Sequence, residues 1–334
     1  MARRHAPRAG AIDERGFHDW LVNELPAGRS GLLPLGDDAA ALRPPAGKVA
    51  VLSIDSLVEG THFLRNSPPR QIGAAAAAVS LSDLAAKGAE PSALLLAIVL
   101  PPGTPQSWAE SVARGAERTA ARFGMELVGG DTKPGPVRTV VSSVLGWARE
   151  GALAPRSGAL AGDLLATTGE VGRGGVAAAR LGRAKRPDRP TLSAMLEVRP
   201  RVREGTVLVR WAHAMLDTSD GLAEASRLLS EASRVRVEVV EEQLPLSPSL
   251  RGSSLSTAER RRRAFYGGDY ELLLALSPRS FRAAQRAVRR VGGRLTAIGR
   301  VAPGRGAWLR IGGRTRPMPP AGWRPFARRG QRLR

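Results

Sequence analysis

The sequence predicts an α/β protein, with sheets and helices in layers, organised as two domains. Three observations carry this. Short apolar strands alternate with helical patterns throughout. The 334 residues suffice for two cores, since domains usually run to about 100–200 residues. A turn-rich stretch at 148–162 also separates a nearly neutral first half from a basic second half: residues 1–150 hold 16 Lys+Arg against 15 Asp+Glu, and residues 151–334 hold 35 against 15. The expected domains are therefore 1–148 and 149–334.

The opening residues, MARRHAPRAG, are basic without an apolar signal core and read as a disordered start. KVAVLSI at Lys48–Ile54 reads as a strand ending in Asp55. Gln71–Ala89 reads as an alanine-rich helix carrying Asp83, and Ala93–Leu100 as a buried strand. Thr104-Pro105 supplies an N-cap and a first helical position for a helix to about Phe123. Glu126–Val128 is a short strand running into Gly129-Gly130-Asp131, and Thr139–Trp147 is another. Beyond the boundary, strands are expected near Asp163–Thr167, Val235–Val240, Tyr270–Leu276 and Leu295–Val301, with helices between them. The stretch MLDTSDGLAEA at 215–225 reads locally as a helix start, with Asp217 or Ser219 as N-cap and Asp220 in the first turn.

Composition narrows the function. No apolar run approaches the roughly 18 residues of a membrane helix. The chain has no cysteine, which excludes disulfides, thiolate metal sites and thiol catalysis and fits a reducing cytoplasm. Any metal must be held by oxygen or histidine. The arginine excess suits a nucleic-acid surface, but two tyrosines and no recognisable binding motif speak against it, and a solvated arginine surface is the simpler reading, the run Arg260–Arg263 included. There is no G-x-x-x-x-G-K-[ST] phosphate loop. Gly172-Arg173-Gly174-Gly175 mimics a dinucleotide fingerprint, but it falls too far past its strand and lacks a following ribose-binding acid.

The acidic residues are the informative ones. Gly36-Asp37-Asp38, Ser53-Ile54-Asp55, Ser82-Asp83, Gly129-Gly130-Asp131 and Asp217-Thr218-Ser219-Asp220 each put Asp beside Gly, Ser or Thr at the edge of an apolar element. Singly, each is an ordinary turn or cap. As a set they offer short, rigid oxygen ligands of the kind Mg²⁺ takes, with water and phosphate oxygens completing its shell.

The order and surroundings of these motifs resemble the thiamine-monophosphate kinase family, which belongs to the superfamily of aminoimidazole ribonucleotide synthetase. The resemblance runs through GDDAA at Gly36–Ala40, SIDSLVEGTHF at Ser53–Phe63, SLSDLAAKGAEP at Ser80–Pro91, VGGDTKPGP at Val128–Pro136, PRSGA at Pro155–Ala159, LDTSDGL at Leu216–Leu222, GGDYEL at Gly267–Leu272 and GWRPF at Gly322–Phe326. It implies a synthetase-like fold, with an N-terminal mixed sheet and helices carrying a metal and ATP site and pairing in a homodimer, and a C-terminal α/β sandwich completing the nucleotide and substrate site. It implies several Mg²⁺ ions on Asp38, Ser53, Ile54, Asp55, Asp83, Asp131, Asp217 and Asp220, with Ile54 limited to its carbonyl. Gly130, Asp131, Arg156 and Ser219 match ATP contacts, and His62 and Trp323 match contacts to thiamine monophosphate. Asp269 stands in for an acid lost where the family reads GGEDYEL, and Lys133 stands where Thr is usual.

Such residues fit a transfer from ATP to a phosphate oxygen. The acceptor is anionic near neutral pH, so no general base is needed, and the task is alignment and charge neutralisation. Another ATP-using superfamily member is the alternative. The selenophosphate and hydrogenase-maturation members are disfavoured by the absent cysteine, and the synthetase itself by EGTHF and GWRPF. An arginine-rich nucleic-acid-binding protein on this fold is the remaining one.

Overall fold

In the computed structural model, which describes residues 12–25, 32–33, 35, 39–184 and 187–323, secondary structure begins with α1 (Glu14–Glu24). Asp13 caps it by accepting from the Gly16 N–H at 2.8 Å. The alternating segment after it becomes β1 (Lys48–Val58), followed by α2 (Pro69–Lys87), β2 (Glu90–Leu100), α3 (Gln106–Arg122), β3 (Glu126–Pro134) and β4 (Thr139–Arg149). The four strands form one sheet in the order β1-β4-β2-β3. β3 runs six residues past its expected end because parallel pairing to β2 carries it through the glycines, with Leu96 opposite Gly130 and Ala97 opposite Asp131. A Cβ at Gly130 would stand 2.0 Å from the Leu96 carbonyl oxygen, so only glycine fits. α2 and α3 approach backbone to backbone at a second pair of glycines: a Cβ on Gly73 would meet the Val112 carbonyl, and one on Gly115 the Arg70 carbonyl, each at 1.9 Å. The expected cap of α3 shifts by one residue. Pro105 takes the cap position, while Thr104 donates its hydroxyl to the Pro101 carbonyl at 2.7 Å.

The chain packs as two units, one of Met1–Ser80 with Pro91–Trp147 and one of Leu81–Glu90 with Ala148–Arg334. The second unit therefore holds the C-terminal turns of α2, a segment that the sequence assigned to the first domain. It continues with β5 (Leu164–Thr168), α4 (Arg173–Arg183), α5 (Arg189–Met195), α6 (Val202–Leu208), β6 (Ala212–Asp217), α7 (Leu222–Ser233), β7 (Arg236–Val240), α8 (Pro248–Arg251), α9 (Thr257–Ala264), β8 (Leu272–Leu276), α10 (Pro278–Arg290), β9 (Leu295–Ala302), β10 (Gly306–Ile311) and β11 (Arg314–Pro317). Seven strands form the sheet β11-β10-β7-β9-β5-β8-β6. Leu165, Leu216, Leu273, Val237 and Ile298 from its strands bury against Leu222, Leu229, Leu250 and Phe265. Burying such a side chain contributes roughly 1.5–3 kcal/mol, which is what holds these mostly five- and six-residue strands in place.

The run Arg260–Arg263 is not the solvated face its composition suggested. Arg261 grips Glu241 with two hydrogen bonds of 2.8 Å. Arg263 is only 5% exposed and pairs with Glu259 at 2.9 Å. Acidic residues upstream on the fold make these arginines structural; Arg262 alone of the four is classed as exposed.

Candidate functional site

In the first unit the predicted residues line up on two neighbouring features. Along β1, side chains alternate between faces, so half-buried Ser53 and Asp55 share one side while Leu52 and Ile54 share the other, 69% and 67% exposed. The strand ends in a turn at Gly60–Phe63, where the His62 Nδ1 accepts from the Val58 N–H at 3.1 Å. Burial lowers the pKa of this imidazole, against the pull of that hydrogen bond, and the neutral ring then carries its proton on Nε2. On β3, Gly130 and exposed Asp131 border a cleft of about 130 Å³ lined also by Phe17, His18 and Leu21 of α1 and by Ala113. Asp131 accepts from the Thr132 N–H at 2.9 Å and pairs with Lys133 at 3.0 Å. Lys133 reaches on to Glu14 at 2.7 Å, and both carboxylates, Glu14 first, raise its pKa. The lysine that departs from the family motif thus sits on the carboxylate the motif supplies. Asp38 lies outside the described residues.

In the second unit the local reading of MLDTSDGLAEA gives way. Asp217 is not a cap but the last residue of β6, extended because β6 pairs with β8, Leu216 opposite Leu273. Its two oxygens accept from hydroxyls: Oδ2 from Ser82 at 2.6 Å and Oδ1 from Ser219 at 2.9 Å. Burial raises its pKa, the hydrogen bonds of Ser82 and Ser219 oppose that, and the nearby Asp83 carboxylate adds to it. Ser219 is no cap either. Gly221 is the N-cap of α7; its φ of 105°, and the 2.2 Å at which a Cβ would stand from the Tyr266 carbonyl oxygen, admit only glycine. Asp220 lies on the surface beside it; partial desolvation and Glu224, one turn on, raise its pKa against the pull of Arg156. Its carbonyl accepts from the Trp323 N–H at 2.9 Å, which ties half-buried Trp323 to the same loop.

Arg156 is exposed, in a loop that the Met215 N–H anchors through the Pro155 carbonyl at 2.8 Å. Lys87 was missed by sequence reasoning. One turn along α2 from Asp83, it donates to the Met215 carbonyl at 3.0 Å and to the Ala154 carbonyl at 3.1 Å. Burial lowers its pKa, and Arg156 lowers it further against the pull of Asp83 and Asp217. Ser82 was also missed. The i,i+4 spacing of Asp83 and Lys87 was a readable signal, whereas the partner of Ser82 lies 135 residues away.

Asp269 is placed differently. It is buried, and its carboxylate accepts from the Gly172 N–H at 2.6 Å and the Gly174 N–H at 2.8 Å, fixing the start of α4. Burial pushes its pKa up to about 7 despite those bonds. The glycines that mimicked a dinucleotide fingerprint serve this packing: a Cβ on Gly174 would stand 2.1 Å from the Gly267 carbonyl, and one on Gly175 2.3 Å from the Arg263 carbonyl. Next to it, Glu271 accepts from Thr168 Oγ1 at 2.7 Å and from both arms of Arg201.

Within the second unit, then, Asp217 is held by two hydroxyl donors and feels the charge of Asp83, half-buried Lys87 stands one turn along α2 from Asp83, Arg156 acts electrostatically on Asp220, and Trp323 is tied to the Asp220 carbonyl. Among the described residues no three carboxylate or imidazole groups converge on one point. Residues 36–148 match the N-terminal domain of AIR synthase related proteins, and residues 161–311 match its C-terminal domain. A thiamine-monophosphate kinase of Synechococcus elongatus is 36% identical over 89% of this chain and 95% of its own length. That of Caulobacter vibrioides is 34% identical over 95% and 92%. The chain belongs to the thiamine-monophosphate kinase family.

Solved structures agree with that membership. The crystal structure of thiamine-monophosphate kinase from Stenotrophomonas maltophilia K279a superimposes with a TM-score of 0.76 at 30% identity, covering 91% of this chain and 98% of the other. AaThiL complexed with AMPPCP and TMP superimposes at 0.71, with 27% identity, over 84% and 88%. The hydrogenase maturation protein HypE of E. coli, at 21% identity and 0.68, shares the fold alone.

Proposed function

We propose that this protein phosphorylates thiamine monophosphate with ATP, giving thiamine pyrophosphate by direct in-line transfer. The single observation that carries the reading is the likeness to thiamine-monophosphate kinases over about nine-tenths of both chains. By likeness to the family motifs, Gly130, Asp131, Arg156 and Ser219 are assigned to ATP, and His62 and Trp323 to thiamine monophosphate.

The chemistry asks for charge control. Two phosphate-bearing substrates repel one another by several kcal/mol per pair of charges at intermediate dielectric. Arg156 offers a fixed positive charge. The Asp217 carboxylate, desolvated, held by the hydroxyls of Ser82 and Ser219 and near enough to Asp83 to feel its charge, suits a hard divalent cation, which takes oxygen ligands. Mg²⁺ held by Asp38, Ser53, the Ile54 carbonyl, Asp55, Asp83, Asp131, Asp217 and Asp220 would neutralise the phosphates. Because the acceptor phosphate oxygen is already anionic, no residue need remove a proton. Neutral His62, holding its proton on Nε2, is set to donate a hydrogen bond to a substrate oxygen. Asp269, with both oxygens engaged, would bear on substrate only through the loop it anchors.

Leu52 and Ile54 on the outer strand β1, with Leu95 on β2 43% exposed, offer an apolar surface on the four-stranded sheet. A second copy pairing there gives a homodimer, and the absence of cysteine suits the cytoplasm. Among the described residues, no helix is long and apolar enough to cross a membrane.

The deciding experiment incubates the chain with thiamine monophosphate, ATP and MgCl₂ and resolves the products by chromatography. Thiamine pyrophosphate and ADP in equal amounts are expected; ATP consumption without the pyrophosphate would overturn the assignment.

A further inference from the structure

Arginine is distributed in two different ways along the second unit. Up to Glu271 several basic side chains find acidic partners, Arg201 on Glu271, Arg261 on Glu241, Arg263 on Glu259 and Arg227 on Glu224, and beyond it Arg300 finds Glu238. From Leu272 to the C-terminus the sequence contains 16 arginines and no Asp or Glu, so any acidic partner for them must come from elsewhere in the fold. On α10, Arg279, Arg282, Arg286, Arg289 and Arg290 are exposed, as is Arg294 just beyond it, and among the described residues no carboxylate pairs with any of the six. Their spacing of three to four residues keeps much of that charge on one side of the helix.

This uncompensated charge adjoins a groove of about 390 Å³ between α10 and the start of β9, lined by Phe281, Gln285, Arg289, Gly293, Arg294 and Thr296. Its walls are held. Gln285 Nε2 donates to the Leu295 carbonyl at 3.0 Å, and the Gly169 N–H donates to the Arg294 carbonyl at 3.0 Å. Gly293 lets the turn settle onto the Glu204 side chain, where a Cβ would come within 2.6 Å, and Glu204 is itself paired with Arg201 at 3.4 Å. The nearby acid is therefore occupied by its own cation. The volume lies in the small-molecule range of roughly 300–1,000 Å³.

We propose that this groove is a second anion site, which takes a phosphorylated small molecule of nucleotide size. Arg289 and Arg294 bind the phosphate, whose oxygens suit the planar guanidinium fork. Phe281 offers an aromatic face to a base, and the Thr296 hydroxyl and the Gln285 carbonyl oxygen offer polar contacts. The other arginines of α10 raise the local potential and draw anions in. None of these residues belongs to the catalytic reading, so the proposal stands or falls separately from it.

Calorimetric titration of the full chain with adenosine monophosphate and with inorganic pyrophosphate, both in EDTA to disfavour binding among the carboxylates, tests it. Saturable binding of both is expected, and the double variant Arg289→Gln, Arg294→Gln should weaken both about ten- to a hundredfold. Asp131→Asn should leave both unchanged. Phe281→Leu should weaken the nucleotide and spare pyrophosphate. Turnover of the double arginine variant at saturating substrates should equal wild type, which shows it folded. Binding indifferent to Arg289 and Arg294, or none at millimolar ligand, overturns the site; an unaltered nucleotide affinity in Phe281→Leu overturns its assignment to nucleotides. Steeply salt-dependent binding of single-stranded RNA, weakened equally by Arg279→Gln, Arg282→Gln and Arg286→Gln, would replace it with a polymer-binding surface.

Discussion

Asp217 and Asp269 sit on neighbouring loops of one unit, both leave the ordinary carboxylate pKa range upward, and both accept two hydrogen bonds. Their partners differ in kind. Asp217 accepts from the hydroxyls of Ser82 and Ser219, which can turn to accept instead of donate. Asp269 accepts from two backbone N–H groups, which can only donate. The first arrangement can exchange its partners for a ligand, and the second cannot without releasing the start of α4.

The largest expected effect follows from replacing the exchangeable carboxylate. Asp217→Asn should lower kcat/KM for thiamine pyrophosphate formation at least about a hundredfold, since a charge is lost from the site we propose for a cation. Its melting temperature should hold or rise, because both hydroxyls can pair with the amide and a desolvated charge is removed. A variant that melts early with normal turnover would reverse the comparison.

Asp269→Asn should do the opposite. The amide sets an NH2 donor where one carboxylate oxygen had accepted, so one of the two backbone N–H groups loses its acceptor, and unfolding in denaturant should show a loss of about 1–3 kcal/mol. Turnover in the folded variant should stay within a few fold. A raised KM for thiamine monophosphate at unchanged stability would instead make Asp269 a substrate contact.

Their pKa shifts sharpen the contrast further. A carboxylate with a raised folded-state pKa binds its proton more tightly in the native state than in the unfolded chain. Its contribution to stability is present at low pH and lost as pH rises from the ordinary carboxylate range through the folded value, about 7 for Asp269. The loss runs at no more than about 1.4 kcal/mol per pH unit. Denaturant midpoints at pH 5 and pH 8 should therefore converge in Asp269→Asn relative to wild type, leaving the share that Asp217 contributes with the same sign. Equal slopes in variant and wild type would contradict the buried-acid reading.

The smallest effect belongs to Trp323, whose tie to the Asp217–Asp220 loop is through its backbone. Trp323→Ala keeps that hydrogen bond and removes an indole face worth about 0.5–2 kcal/mol to a stacked cation. KM for thiamine monophosphate should rise several-fold to roughly thirtyfold, with KM for ATP and melting temperature little changed; Trp323→Phe should recover part of it. A large drop in melting temperature with KM untouched would make the indole a core plug.

Much of the architecture was readable because apolar period and turn residues are local. β1, β2, β4 and β9 stand within a few residues of their expected ends. β6 was not readable, since AHAMLD carries no alternation and precedes a genuine helix; pairing with β8 makes it a strand. β3 was read too short because glycines weaken a strand on local criteria, yet here they permit close pairing with β2. The acidic residues proposed for the site were legible as motif blocks, and the spacing of Asp83 and Lys87 was a local signal, but the bond from Ser82 to Asp217 was not legible, because the two lie 135 residues apart.

Residue types, their order and the family pattern in the acidic loops are properties of the chain, and they suffice to name the chemistry: many carboxylates, no thiol, no phosphate loop. What each carboxylate does was settled by packing. Asp217 and Asp269 look alike in sequence, each in a short polar stretch with glycine close by, ahead of an apolar run. Only the folded chain puts Ser82 of α2 against one and the N–H groups of Gly172 and Gly174 against the other. A carboxylate's pKa, and its freedom to take a ligand, depend on donors and charges within a few ångströms, and those donors lie about a hundred residues away along the chain.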